Sequence, residues 1–275
     1  MAHYDPDGIV DPHVLYSLAA YRRVFTHIIL VSVSARCLPK GSEHLADVFI
    51  TRENVGYDFF SWKIGFNALP NKDQFFEVVF VNDSVYGPLF DIEQILVSPH
   101  VKEADFWGMT NSFEYGWHIQ SFFFAMRNRL LISRDAHAYW DGIDPLHDKN
   151  AVVTDYEIPM ASFFRDKGWM TGTIYPGPPV SQSQWDIVWT GVDRNQSFSS
   201  ARYLYKNWRP RTRNPMHYLW RSAIDAGVPF IKVDLLRANP LSVPLEPIRR
   251  FVNQKTRYPL PLIDAHIQRT TRELL

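Results

Sequence analysis

Four short runs of β-branched and aromatic residues constrain the fold of this chain more than any other feature. They are HIILVSVS (27–34), ADVFIT (46–51), FEVVFVND (76–83) and ADFWGMT (104–110). Each has the length and residue types of a buried strand. Helical stretches alternate with the early ones. DPHVLYSLAAYRRV (11–24) precedes the first, with Asp11 placed as an N-cap and Pro12 at the first helical position. DFFSWKIGFNAL (58–69) follows the second and FDIEQILVS (90–98) the third. This alternation predicts an α/β fold, with right-handed crossovers where its strands are parallel. Ligands in such sheets sit beyond the carboxyl ends of the strands. Those ends carry Ser32 and Ser34, the loop Arg52–Asp58, and Asn82–Asp83–Ser84.

Later segments read differently. HIQSFFFAMRNRLL (118–131) and YEIPMASFFRDKG (156–168) have helical character, with Pro159 in a first turn and Gly168 as a C-cap. Residues 175–186 read as a loop. The tail from about Arg209 is punctuated by proline and holds one clear helix, PMHYLWRSAIDAG (215–227). The expected organisation is one domain over 1–208 with a helical and irregular extension, 209–275, packed on it.

Composition excludes several classes. At 275 residues and 46% hydrophobic content the chain can bury a sizeable core. Its formal net charge is zero, which removes the bulk electrostatic case for nucleic acid. Cys37 is the sole cysteine, so neither an internal disulfide nor a cysteine-based zinc site is open to it. Residues 1–12 are acidic and contain proline, unlike a secretory leader, and no apolar run reaches membrane-spanning length. The expected location is the cytoplasm. Nine Trp and nineteen Phe fit either a bulky core or surfaces that contact sugar faces.

Four places can carry chemistry. Asp83, between Asn82 and Ser84 at a strand end, can hold a hydroxyl, a ribose or a divalent ion; an Asx-turn closing the strand explains it equally. The loop with Arg52, Asn54, Gly56 and Asp58 offers a cation, an amide, a flexible position and a carboxylate. That set suits phosphate and ribose, or simply a helix start with surface charges. His118 and Gln120 follow Trp117, where a core histidine is the plain reading. Glu157 begins a helix, whose dipole stabilises a carboxylate without any catalytic role.

Together, HYDPDGIVDPHVLYSL, ENVGYDFFSWKIG, VNDSVYGPLF, DFWGMTNS, HIQSFFFAMR, YEIPMASFFRDKGW and NPMHYLWRSAIDAGVPFIKVDLLRANP resemble the rhamnan synthesis protein F family. The resemblance runs in order from His3 to about Pro240. It implies a GT-A-like glycosyltransferase of bacterial surface polysaccharide assembly, with a Rossmann-like mixed sheet flanked by helices, using a nucleotide-sugar donor such as a dTDP-rhamnose-like one. It also implies a glycan or lipid-linked acceptor, inverting stereochemistry and no organic cofactor. ENVGYDFFSW looks like the nucleotide-pocket motif of related transferases, and Asn82–Asp83–Ser84 falls where their acidic metal motif lies. With Asp5 of the opening stretch, Arg52, Asn54, Gly56, Asp58, Asn82, Asp83 and Ser84 form the expected donor-binding set. Asp83 is then the expected ligand of Mg²⁺ or Mn²⁺, although the second carboxylate of Asp-x-Asp is missing. The later acidic helix places Glu157 as general base, with Asp155 as its competitor. Trp117, His118 and Gln120 line the expected sugar or acceptor side, with Trp107 or Trp117 as a stacking platform. Arg249, Arg250, Lys255 and Arg257 suggest peripheral contact with the inner face of the cell membrane. Two other readings remain open: a non-catalytic carbohydrate-binding or scaffold protein on this fold, and a nucleotidyltransferase-type enzyme.

Overall fold

The computed structural model describes residues 1–177 and 214–271. Strands β1 (Ala2–His3), β2 (Ile29–Ser32) and β3 (Val48–Thr51) form a parallel sheet in that order, with Ala2 beside Val31 and Ile29 beside Val48. Helix α1 (Pro12–Arg22) joins β1 to β2, and α2 (Tyr57–Ala68) follows β3. A five-stranded mixed sheet holds β4 (Glu77–Val81), β6 (Phe106–Ser112), β7 (His118–Ile119), β8 (Phe123–Arg127) and β9 (Thr171–Tyr175). Its order is β4-β8-β6-β7, with β9 running parallel to β6 and the other pairs antiparallel. Between β4 and β6 lie β5 (Val85–Tyr86) and the short α3 (Glu93–Leu96). After β8 come α4 (Asn128–Leu131), α5 (Arg134–Asp141), α6 (Lys149–Val152) and α7 (Ile158–Asp166). The chain is thus α/β, with mixed sheet between helices.

The larger sheet is buried on both faces. Phe80, Phe106 and Phe124 turn toward Phe59, Trp62 and Phe66 of α2, Trp140 of α5 and Phe164 of α7. Their neighbours Val81, Trp107 and Phe123 turn the other way, into a cluster with Val14, Leu18 and Tyr21 of α1. Successive residues in a strand point to opposite faces, so a strand covered on both sides becomes a continuous apolar run.

That geometry corrects the helix expected over 118–131. Only Asn128–Leu131 is helical there, because FFFAM pairs along its length with β4 and β6 instead. An unbroken apolar run of this length carries no period that separates a two-faced strand from a buried helix. Pro159 does sit in the first turn of α7, and Gly168, at φ +88°, follows its end with its N–H donating to the Arg165 carbonyl at 2.9 Å.

The boundary expected at 208/209, and most of the loop expected at 175–186, lie outside the described residues. Beyond them the tail is more helical than its prolines suggested. It holds Pro215–Tyr218, Trp220–Asp225, Val233–Arg237, Glu246–Lys255 and Leu260–Thr271. The helix expected over 215–227 is broken at Leu219. Leu235, Ile248, Phe251 and Ile263 pack with Trp220 around Tyr86 and Leu89. Strand β10 (Ile231–Lys232) pairs antiparallel with β5 and carries the tail to the strand ends of the main body. No helix among the described residues is long and apolar enough to cross a membrane.

Candidate functional site

A cleft of about 710 Å³ opens at the carboxyl ends of β1, β3 and β4 and is closed on its far side by β10 and the helix Leu260–Thr271. Such a volume suits a small molecule of nucleotide size. Asp5, Asn54, Gly56, Asp58, Asp83 and Ser84 of the expected donor set line it.

The loop from Arg52 to Asp58 owes its shape to Arg52. Its Nε and Nη2 donate to Ser61 Oγ at 3.0 and 2.7 Å, and Nη2 also donates to the Tyr57 carbonyl at 2.6 Å. Nη1 donates to the carbonyls of Glu53, at 2.7 Å, and Val55. A guanidinium has five N–H donors, and these five bonds employ all of them. Burial lowers its pKa to about 10. Arg52 therefore braces the loop from within and does not belong to the cleft lining. Gly56 begins α2 at φ +77°, and a Cβ there would lie 2.8 Å from Pro145 Cα and 2.6 Å from Phe60 Cβ. Only glycine fits so tight a left-handed position. The Gly56 N–H donates to the Leu146 carbonyl at 3.0 Å and the Tyr57 hydroxyl to the His147 carbonyl at 3.2 Å, which fastens the loop to the opposite rim.

Behind this loop, Asn82 is buried and fully engaged. Its Nδ2 donates to Asp58 Oδ2 at 2.8 Å, while its Oδ1 accepts from the Ser84 N–H at 3.1 Å and the Ser84 hydroxyl at 2.6 Å. Asn82 thus forms the Asx-turn and leaves the half-buried Asp83 to line the cleft. The Asp83 carboxylate accepts the Tyr4 N–H at 2.8 Å, with His3 Nε2 4.0 Å away. Burial, then the like charge of Asp58, pushes the Asp83 pKa up to about 8. Asp58 is raised as well, by burial and by Glu157, against the pull of its Asn82 bond. Asp5 lies apart from this group. It accepts the N–H groups of Asp7 and Ile9 at 3.0 and 3.1 Å and is bound by Arg269.

The cation facing these carboxylates is Lys232, on β10. Its ammonium lies 3.4 Å from Ser84 Oγ and 4.5 Å from the Phe122 ring centroid. Burial lowers its pKa to about 8, against the favourable charges of Glu157 and Asp58. Sequence reading passed it over, although a lysine between Ile231 and Val233 in an apolar run was a usable sign of a buried charge. Lys149 and His217 also line the cleft unforeseen, and burial lowers the His217 pKa to about 4.

Glu157 does not begin a helix. Residues from α6 through a π-helical turn, Val153–Glu157, run straight into α7, so Glu157 lies within a helical run and no terminal dipole acts on it. Its position is fixed by Ser121, whose N–H and hydroxyl donate to Oε1 at 3.0 and 2.8 Å. Single π turns recur where a side chain must be re-aimed at a functional site. Asp155, two residues earlier, is exposed and accepts from the Thr154 hydroxyl at 2.9 Å.

The expected sugar platform is not assembled at this cleft. Trp107 is fully buried and donates its indole N–H to Glu77 at 3.2 Å, so its faces are closed to a sugar. Trp117 is half-buried with the Arg165 guanidinium 4.7 Å over its ring. His118 is buried on β7, its Nδ1 3.0 Å from the Gly116 carbonyl, and the buried Gln120 has no partner for Oε1 among the described residues. None of Trp117, His118 and Gln120 lines the cleft.

Comparison with known proteins gives this arrangement a family. The chain is 31% identical over 218 residues to "Virulence protein VirA" of Vibrio anguillarum, covering 72% of this chain and 65% of that protein. It is 27% identical over 182 residues to "Uncharacterized protein y4gN" of Sinorhizobium fredii, covering 60% of this chain and 46% of that one. The chain thus spans less than two thirds of the length of either relative. No solved structure matches it. Residues 28–186 match the Rhamnan synthesis protein F family, and the match includes β2 to β9, the Arg52–Asp58 loop, Asn82–Asp83–Ser84 and Glu157. The chain belongs to the Rhamnan synthesis protein F family.

Proposed function

We propose that this protein takes part in polysaccharide synthesis as a glycosyltransferase of GT-A-like fold, moving a sugar from a nucleotide-sugar donor to a glycan hydroxyl. The family name makes rhamnose the first sugar to test. One observation carries the reading: a nucleotide-sized cleft brings Asp58, Asp83 and Lys232 together at the strand ends, with Glu157 close enough to act on the charges of Asp58 and Lys232. In the reaction the acceptor oxygen forms a bond to the anomeric carbon. The bond from that carbon to the donor diphosphate breaks, and the acceptor proton leaves.

Glu157 is the base for that proton. Ser121 fixes Oε1 with two donors and so orients the carboxylate, which lies beside the cleft rather than in its lining and would take the proton on Oε2. Lys232 supplies positive charge to the departing diphosphate from a desolvated position, where a cation acts most strongly. Mg²⁺ is commonly held by one or two carboxylates together with substrate phosphates. Asp83 and Asp58, whose like charges strain each other, fit that need and would hold Mg²⁺ or Mn²⁺ in place to neutralise the diphosphate.

The test is transfer from a panel of nucleotide-sugars. Glu157→Gln should leave donor binding near wild type and slow turnover about 10²–10⁴-fold. Asp155→Asn should have little effect. Loss confined to Asp155→Asn would move the base to Asp155. Full activity in both, or a product keeping the donor's anomeric configuration, would sink the inverting mechanism.

A further inference from the structure

At the other end of the cleft, the first turn of α1 meets the helix Leu260–Thr271. Asp11, His13 and His266 are all buried there, and each offers one ligand atom within 4.8 Å of the other two. We propose that these three residues bind a divalent transition-metal ion of the zinc class, independently of any nucleotide.

The first reason is an unmet ring nitrogen. His13 is only 3% exposed, and its Nδ1 has no hydrogen-bond partner among the described residues. A buried polar atom without a partner is costly, so such an atom in a folded protein calls for an occupant. The neighbouring ring of His266 does not supply one. The two imidazoles lie face to face, 4.2 Å between centroids and 35° between planes.

The second reason is how His266 is held. Its Nδ1 lies 2.7 Å from the Tyr86 hydroxyl, and its Nε2 faces Asp11 Oδ2 at 3.8 Å. One nitrogen anchored by a polar partner and the other turned to a carboxylate is the arrangement that orients a ligating imidazole.

The third reason is charge. Arg269 is gripped by Asp5, Asp7 and Asp11, three carboxylates around one guanidinium. Even with Arg237 near enough to act on His266, the three carboxylates leave negative charge for a cation to meet, and Arg269 keeps two carboxylates if Asp11 turns to a metal. Two imidazoles and one carboxylate favour Zn²⁺, Co²⁺ or Ni²⁺ over Mg²⁺ or Ca²⁺, which prefer oxygen alone. All three residues line the cleft, so a bound ion would keep positions open to a ligand there.

Zinc titration of chelator-treated protein by calorimetry, without nucleotide, tests this. Wild type should bind one equivalent, and X-ray absorption at the zinc edge should count two imidazole ligands. His266→Gln should abolish that equivalent. Tyr86→Phe, which removes only the hydroxyl behind His266, should weaken it about 10–100-fold while the melting curve stays cooperative. Asp83→Asn and Glu157→Gln should bind zinc as wild type does. The absence of a stoichiometric site, an absorption spectrum without imidazole, or unchanged binding in His266→Gln would overturn the proposal. If His266→Gln fails to fold, the ligand count on wild type decides. A chain that binds zinc at these residues yet transfers no sugar would overturn the transferase reading alone.

Discussion

Two basic residues on opposite sides of the cleft, Arg52 behind its lining and Lys232 within it, are used in opposite ways. On the wall after β3, Arg52 spends its five donors on its own loop and on Ser61. On the opposite wall, Lys232 has one long contact to Ser84 and lies over the Phe122 ring, with the cleft carboxylates as its charge partners. Arg52 makes shape, whereas Lys232 keeps its charge within the cleft, where the proposed function gives it a ligand to meet. A guanidinium suits the first task because its planar fork can brace several carbonyls at once. An ammonium on a buried stem suits the second, since burial has already removed the water a phosphate would otherwise displace.

The largest effect that could break this contrast is on folding. Arg52→Ala leaves three carbonyls and Ser61 without their donor, which should cost about 3 kcal/mol of stability in urea unfolding. A variant as stable as wild type but unable to bind donor would make Arg52 a ligand residue after all. Next in size, Lys232→Met should fold normally and weaken nucleoside diphosphate binding about 10–100-fold by calorimetry, in line with the loss of one charge-assisted contact. Unchanged affinity would erase the distinction between the walls.

A smaller effect concerns Asp83. Its pKa rises from 3.8 to about 8 in the fold. Between those values the folded protein keeps a proton that the unfolded chain has released, so stability falls as pH rises through that window. Asp83→Asn removes this penalty. The variant should gain on the order of 1 kcal/mol at pH 8 and nothing near pH 4, as read by thermal melts, while losing affinity for donor and cation. A loss of stability at pH 8 would mean that Asp83 is satisfied like Arg52.

The smallest effect lies outside both walls. Arg249 is bound to Asp264 at 2.7 Å and Arg250 lies 3.8 Å from Glu246, so half of the basic tail cluster is already paired. Co-sedimentation with anionic vesicles should therefore be weak and fade with salt. Equal pelleting with neutral vesicles would remove membrane contact from consideration.

The contrast also marks what could be read from sequence. The strands at 29–32, 48–51, 77–81 and 106–112 were legible because β-branched runs between polar turns have few other uses. FFFAM was not, since burial on both faces erases the alternation that marks a strand. TGTIY, now β9, passed unnoticed because it is short and contains glycine. At the site, Asn54, Gly56, Asp58 and Asp83 were found because strand ends converge by the topology of α/β folds. The role of Arg52 was not, because a residue's type does not say where its donors finish. Lys232 lies 148 positions from Ser84, and His266 is 180 from Tyr86. Their partnership depends on chain closure over distances that no local pattern records.

That long closure bears on how the protein is made. Arg269, which neutralises Asp5, Asp7 and Asp11, is separated from Asp5 by 264 positions. Synthesis is vectorial, and domains fold from the amino-terminal side as they leave the ribosome. The three aspartates emerge first and wait for their cation while both sheets and most of the tail are made. Until the helix Leu260–Thr271 docks, these three carboxylates at the mouth of the cleft lack that guanidinium, and the uncompensated negative charge would repel any anionic ligand.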